Sequence, residues 1–309
     1  MDLNTISWTI LGGLLNIAIV LIVAPFFHGV LRKVTARIQS RQGPPIWQPY
    51  FDILKLLGKE DIESGESPFV QRCAGYLSLA TVLTIACLVP MDLSKPLNFV
   101  GDSILLIYLL TLCSICTLLA GLAAGSAYSL IGISREMMTI IALEPLFAIA
   151  IVVGAIHAQS FRLDVVLNGS VYLTEGFPWS GLVMVAVMLL SFQAFVQRLP
   201  FDISEAETEI MEGPLVEYSG PKLAMFKYAQ MAKLVIYSAI FVALFVPWDF
   251  GLTFPGKWLL FWLKVSILVL VVTLVAATHA RYRIDQAIRY FASLMLAALV
   301  ALALACYGY

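Results

Sequence analysis

Eight apolar runs of about twenty residues, parted by shorter polar joints, constrain this chain more than anything else in its sequence. At 1.5 Å of rise per residue, each is long enough to cross the hydrocarbon core of a bilayer as a helix. The candidate spans are 6–30, 72–91, 103–123, 137–157, 180–197, 229–247, 257–277 and 287–307. A soluble fold would have to bury eight such helices in one core. It would also have to do so with 13% charged residues among 309, where soluble domains carry about 25%. The expected fold class is therefore an all-α integral membrane protein, with residues 1–309 as a single membrane domain. The leading MDLNTIS has no Lys or Arg, and the run behind it exceeds signal-peptide length. The first run is thus expected to remain as a span.

The basic residues predict the orientation. Arg32, Lys33, Arg37, Arg41, Lys55, Lys59 and Arg72 lie between spans 1 and 2, and Arg135 between spans 3 and 4. Arg198, Lys222 and Lys227 lie between spans 5 and 6, and Arg281, Arg283 and Arg289 between spans 7 and 8. The alternate joints hold only Lys95, Arg162 and Lys257. The first set should face the cytoplasm, leaving both termini outside.

The five cysteines include one C-x-x-C, Cys113 and Cys116, in the middle of span 3. A metal or redox pair would need further ligands. With no second pair present, two small thiols packed a turn apart is the preferred reading. The histidines, His28, His157 and His279, fall in separate regions. No metal site or catalytic group is expected in this chain, and no bound cofactor.

Two long polar joints carry most of the information. In the first, WQPYFDILKLLGK (47–59) places Trp47, Tyr50, Phe51, Ile53, Leu54 and Leu57 on one helical face and Gln48, Asp52, Lys55 and Lys59 on the other. This predicts an amphipathic helix lying in the membrane surface, starting near Pro49; a packed cytoplasmic helix is the alternative. Before it, Lys33, Arg37 and Arg41 would line one side of a continued first helix. They would anchor to anionic lipid or pair with carboxylates from elsewhere in the chain.

The second joint, RLPFDISEAETEIMEGPLVEYSG (198–220), supplies such carboxylates. Ser204 and Glu207 have capping-box spacing, predicting a short helix from Glu205 that Gly213-Pro214 stops. Glu205, Glu209 and Glu212 would then share one arc, Glu207 would point elsewhere, and Asp202 and Glu217 would flank them. So many acids near a bilayer repel one another. They must pair with the basic stretch, take up protons, or remain a solvated loop.

Around span 4, GLAAGSAYSLIGISREMMTIIALEP brings Gly121, Gly125 and Gly132, which permit close packing or irregular backbone. Arg135 and Glu136 stand at the cytoplasmic mouth, and Glu144 lies deeper, directly before Pro145. A carboxyl at that depth costs about 2.5–3.5 kcal/mol on insertion scales, which makes it a candidate proton carrier; a neutral hydrogen-bonded carboxyl is the structural alternative. Pro145 would free a carbonyl able to hold water. Lys264, about seven residues into span 7, is read as structural, with a stem able to snorkel outward. Arg281, Arg283 and Asp285 in HARYRIDQ form a charged patch suited to docking a soluble partner or sealing a loop.

Taken in order, RKVTARIQSRQGPPIWQPYFDILKLLGKE, IGISREMMTIIALEP, RLPFDISEAETEIMEGPLVEYSG and ARYRIDQ resemble the membrane subunit of respiratory complex I that holds the quinone tunnel. The resemblance runs along nearly the whole chain. A second branch on the same framework comprises the membrane-bound group 4 NiFe hydrogenases, including formate hydrogenlyase. The stretch EGPLVEYSG and the short RQGPPIWQPY segment look more like that branch, in particular formate hydrogenlyase subunit 4.

The resemblance implies a subunit of the cell inner membrane that docks a soluble arm. That arm would hold the NiFe centre and iron–sulfur clusters in hydrogenase large and small subunits and iron–sulfur subunits, with antiporter-like membrane subunits alongside. The lipid bilayer is the other partner, and nucleic acid is not expected. Positions matching the family's functional ones are Arg37, Arg41, Arg135, Glu144, Asp202, Glu205, Glu207, Glu212 and Glu217; Glu136 joins them as the neighbour of Arg135. They would link redox events to proton movement. The alternatives are a quinone-binding subunit, a secondary transporter acting alone, for which the halves show no matching broken helices, and an inert anchor.

Overall fold

The computed structural model describes residues 3–62, 67–91, 101–172 and 177–308, without side chains for residues 3–9 and for 207 and 208. Lys95 and the side chain of Glu207, both named above, lie outside the described part. The described chain is helical: α1 (Leu3–Ile38), α2 (Gln48–Leu57), α3 (Pro68–Leu88), α4 (Ser103–Ala124), α5 (Ala127–Ala158), α6 (Leu163–Val166), α7 (Trp179–Phe195), α8 (Glu207–Ile210), α9 (Gly220–Phe245), α10 (Gly256–Thr278) and α11 (Ile284–Cys306). Each apolar run has become a helix. Seven are long and apolar enough to span a bilayer, and the eighth, α7, is a shorter apolar helix. Nothing else in the described chain is an apolar helix of comparable length.

Helix bounds depart from expectation where polar residues continue a helix beyond its apolar run. The 36 residues of α1 extend about 54 Å, so its basic end protrudes beyond a hydrocarbon core of about 30 Å. It stops at Ile38, however, and Arg41 therefore leaves the stripe that Lys33 and Arg37 begin. Similarly, α5 starts at Ala127, with the Ser126 hydroxyl accepting from Ser129 N. Arg135 and Glu136 consequently stand inside the helix rather than at its mouth.

Seven helices form a ring in the order α1, α3, α4, α5, α11, α7, α10, each touching the next and α10 returning to α1. They surround α9, whose apolar window is 83% buried against 28–44% for the other long spans. Lipid-facing helices keep an outward apolar face, whereas a helix apolar on all sides belongs inside. Ala224, Ala229, Ala232 and Ala239 on α9 are buried and allow close approach of its neighbours. The packing is eccentric: α9 lies against α1, α3 and α10, leaving a gap toward α4, α5 and α11.

The polar joints gather at one end of the ring. Arg32 pairs with Asp52 at 3.0 Å, Lys222 with Asp61 at 3.2 Å, Arg135 with Glu209 at 2.6 Å and Arg281 with Asp202 at 3.3 Å. At the other end, Lys264 Nζ donates to Val246 O and Trp248 O at 2.8 and 2.7 Å, the snorkelling its position suggested. On α2, Ile53 is buried while Trp47 before it and Phe51, Leu54 and Leu57 stay exposed, an apolar stripe suited to lying in the membrane surface.

Candidate functional site: a charged chamber leading to two buried carboxyls

The joint between α7 and α9 departs most from its sequence reading. Its helix is one turn, Glu207–Ile210, capped by Ala206 without a side-chain bond, and a 3₁₀ turn follows at Gly213–Leu215. The capping box from Ser204 does not form, because Ser204 is buried and turned to Glu136. The acids accordingly share no arc. Glu209 is exposed, and Arg135 holds its carboxyl below the usual range. Glu212 reaches Lys227 at 3.5 Å. Glu205 turns inward and accepts a hydrogen bond from Gln230. Glu217 lies beyond the 3₁₀ turn, outside the cavities described below. Mutual repulsion is relieved by distributing the acids among different cations.

Close packing seats this joint. A Cβ at Gly132 of α5 would meet Pro214 Cδ at 2.7 Å and Gly213 Cα at 2.9 Å. Gly213 has φ +55°, and a Cβ there would strike Ser204 O at 2.0 Å, so glycine alone fits.

Beneath the joint lies a cavity of about 460 Å³. Its charged lining is Arg32, Asp52, Arg198, Asp202, Glu205, Glu212, Lys227 and Lys233, with His28 beside them. Burial, reinforced by Asp202 and Glu136 and opposed by Lys227 and Arg198, pushes the Glu205 carboxyl up to about 7. This outer cavity continues into a surface groove that shares Arg32, Arg198 and Asp202 and includes Arg41.

A second, narrower cavity of about 50 Å³ follows in the gap beside α9. Gln197 and Lys233 line both cavities. The charged side chains of the inner one are Glu136, Glu144 and Lys233, among walls that include Leu143, Phe147, Tyr237 and Phe291. Glu136 is 3% exposed and accepts a bond from Gln197 Nε2. Glu144 lies two helical turns deeper, about 12 Å along the axis. Its Oε1 is buried with no hydrogen-bond partner, a state that calls for water or a proton.

The arrangement is therefore a polar run from the charged end of the ring to bilayer depth: Arg41 and the groove, Asp202 and Glu205, Gln197 and Lys233, Glu136, and finally Glu144. The sequence reading placed Arg135, Glu136, Glu144, Asp202, Glu205 and Glu212 near this chemistry. Of these, Glu136, Glu144, Asp202, Glu205 and Glu212 line the cavities, while Arg135 holds the joint from outside. It missed Lys233 and His28, both inside apolar runs. The signal available was the rule that an ionisable residue within a span marks function.

The docking candidates divide. Arg37, Arg283 and Asp285 are exposed, and Arg41 is exposed beside Gln39. Arg281 instead turns inward to Asp202, and Tyr282 N donates to Pro200 O at 3.0 Å, so this residue seals the loop. Among the described residues, no three His, Cys, Asp or Glu side chains group as metal ligands. Cys113 is buried and bonded to Ser78.

The sequence pattern of the NADH dehydrogenase family matches residues 12–306. The chain is 34% identical to formate hydrogenlyase subunit 4 of Escherichia coli, covering 90% of this chain and 92% of that protein. It is 33% identical to NADH-ubiquinone oxidoreductase chain 1 of Paracentrotus lividus, covering 91% and 89%. Among solved structures it is similar to a chain of the membrane-bound sulfane sulfur reductase, an archaeal respiratory membrane complex. That likeness has a TM-score of 0.86 at 26% identity and covers 96% of this chain and 99% of the other. The chain belongs to the NADH dehydrogenase family, as a multi-pass membrane subunit of a multisubunit complex.

Proposed function

We propose that this chain is the anchoring and proton-coupling subunit of a membrane-bound NiFe hydrogenase of the formate hydrogenlyase kind, in the cell inner membrane. The observation that carries this reading is the lining of the outer cavity. Charged groups dominate it, the setting of a water-filled proton chamber, whereas sites for apolar ligands are walled mainly by hydrophobic and aromatic side chains. The exposed Arg37, Arg41, Arg283 and Asp285 would receive a soluble arm of hydrogenase large and small subunits and iron–sulfur subunits. Those partners would carry the NiFe centre and clusters. Proton consumption there changes the charge above the outer cavity, Glu205 titrates, and the change passes through Glu136 to Glu144 and on to antiporter-like neighbours. Arg135, with the acidic joint of Asp202, Glu207, Glu212 and Glu217, shapes the field in which this happens.

A quinone-reducing role is the second reading, favoured by the cavity's size, which is within the range of small-molecule sites, and by the likeness to the ubiquinone oxidoreductase chain. Metal analysis of the complex purified through a tag on this subunit separates the two. Nickel stoichiometric with this chain is the expected result. Iron–sulfur iron without nickel would overturn the hydrogenase reading and make the outer cavity a quinone chamber.

A further inference from the structure

Lys233 sits in mid-α9 at 7% exposure, and its ammonium is the cation common to both cavities. It stands beside the Cys113 thiol and lies in the fields of Glu136 and Glu205, and Glu144 lies in its field in turn. Other charges of the outer cavity are largely engaged: Arg32 with Asp52 and Lys227 with Glu212 within it, and Asp202 with Arg281 outside it. Arg198 faces Glu205 and Asp202. The remaining ionisable group beside Lys233 in the inner cavity is Tyr237, on its own helix.

The inner cavity thus opposes two carboxyls to one ammonium. Two carboxylates would leave an uncompensated negative charge in a narrow, mostly apolar space, where such a charge is costly. One proton on either carboxyl makes the set neutral. We propose that Lys233 is a positioning residue that holds the Glu136–Glu144 pair at one proton between them while Glu205 is protonated, and exchanges its ammonium's attraction between that pair and Glu205. When Glu205 is ionised it draws the ammonium outward, and the inner pair takes a second proton. When Glu205 gains a proton the ammonium returns inward, and the pair releases one. One proton enters and one leaves, with no covalent bond altered other than the O–H bonds. The exchange rests on the proton-coupling reading; the one-proton count does not.

The test uses the intact complex in lipid vesicles and difference infrared spectroscopy of the protonated-carboxyl C=O band. Glu136→Gln and Glu144→Gln should each remove one carboxylic-acid band, because the surviving carboxyl becomes the ionised partner of Lys233. Lys233→Met should add one, and Glu136→Gln with Lys233→Met should restore one relative to Glu136→Gln alone. Lys233→Arg should keep the native band and native proton movement, while Lys233→Met loses proton movement with electron transfer retained. A band that persists in both Gln variants, or that is unchanged in Lys233→Met, would overturn the proposal. If Lys233→Met fails to assemble, the two Gln variants still decide the count. Wild-type vesicles that move no protons would sink the coupling reading and the exchange, while the band pattern would still decide the count.

Discussion

Glu144 and Glu205 show how the same side chain takes different roles at two depths. Glu144 stands among apolar walls with an oxygen that lacks a partner. Glu144→Gln keeps the shape and removes the titration, so it should abolish proton movement and leave electron transfer near native. Glu205 lies outside the spans, pushed from 4.5 to about 7 by burial. A raised carboxyl contributes stability that is fully present below the unfolded value and lost as pH rises through the folded one. Relative to Glu205→Gln, the wild type should therefore lose stability between about pH 4.5 and 7, by up to about 3 kcal/mol. Thermal unfolding in mild detergent across that range would show the difference; parallel pH profiles would contradict it. Both acids were legible in the sequence. Lys233 was legible only as a lone ionisable residue within a span: YAQMAKLVIYS reads as an apolar run with one interruption, and counting loop cations passes over it.

The elements were legible to the extent that lipid dictates them. A bilayer demands some twenty apolar residues per helix, and each such run became one. The acidic joint obeys no such rule: its path depends on cations from α5, α9 and the segment before α11, all distant in sequence. Pro25 of α1 illustrates a link between elements. It has no N–H, so the carbonyl of Leu21 is left free, and Tyr228 of α9 donates to it. Tyr228→Phe should cost about 0.5–1.5 kcal/mol, read as a lowered unfolding midpoint at unchanged pH. Gly132→Ala, which drives a methyl into Pro214 and Gly213, should cost about 1–3 kcal/mol. It should also loosen the joint, seen as faster proteolysis between residues 198 and 220. Native cleavage rates would show that this packing does not hold the joint.

At the scale of the molecule, a ring of seven helices around an eccentric eighth produces the functional gap. That eccentricity could not be read from hydropathy, which reports whether a helix is apolar but not which neighbours it favours. The ring also gathers the polar joints at one end, and the excess of Lys and Arg there predicts that this end is cytoplasmic. A cysteine placed after Tyr309 should then be labelled by an impermeant reagent from outside intact spheroplasts, and labelling from the inside alone would invert the orientation.

The role of Glu144 is decided by proton movement in vesicles holding the intact complex, driven by a low-potential electron donor, with wild type and Glu144→Gln compared at equal electron flux. Wild-type vesicles should develop a pH change across the membrane and the variant none. Equal proton movement by both would show that the run of charged groups ending at Glu144 is not the route.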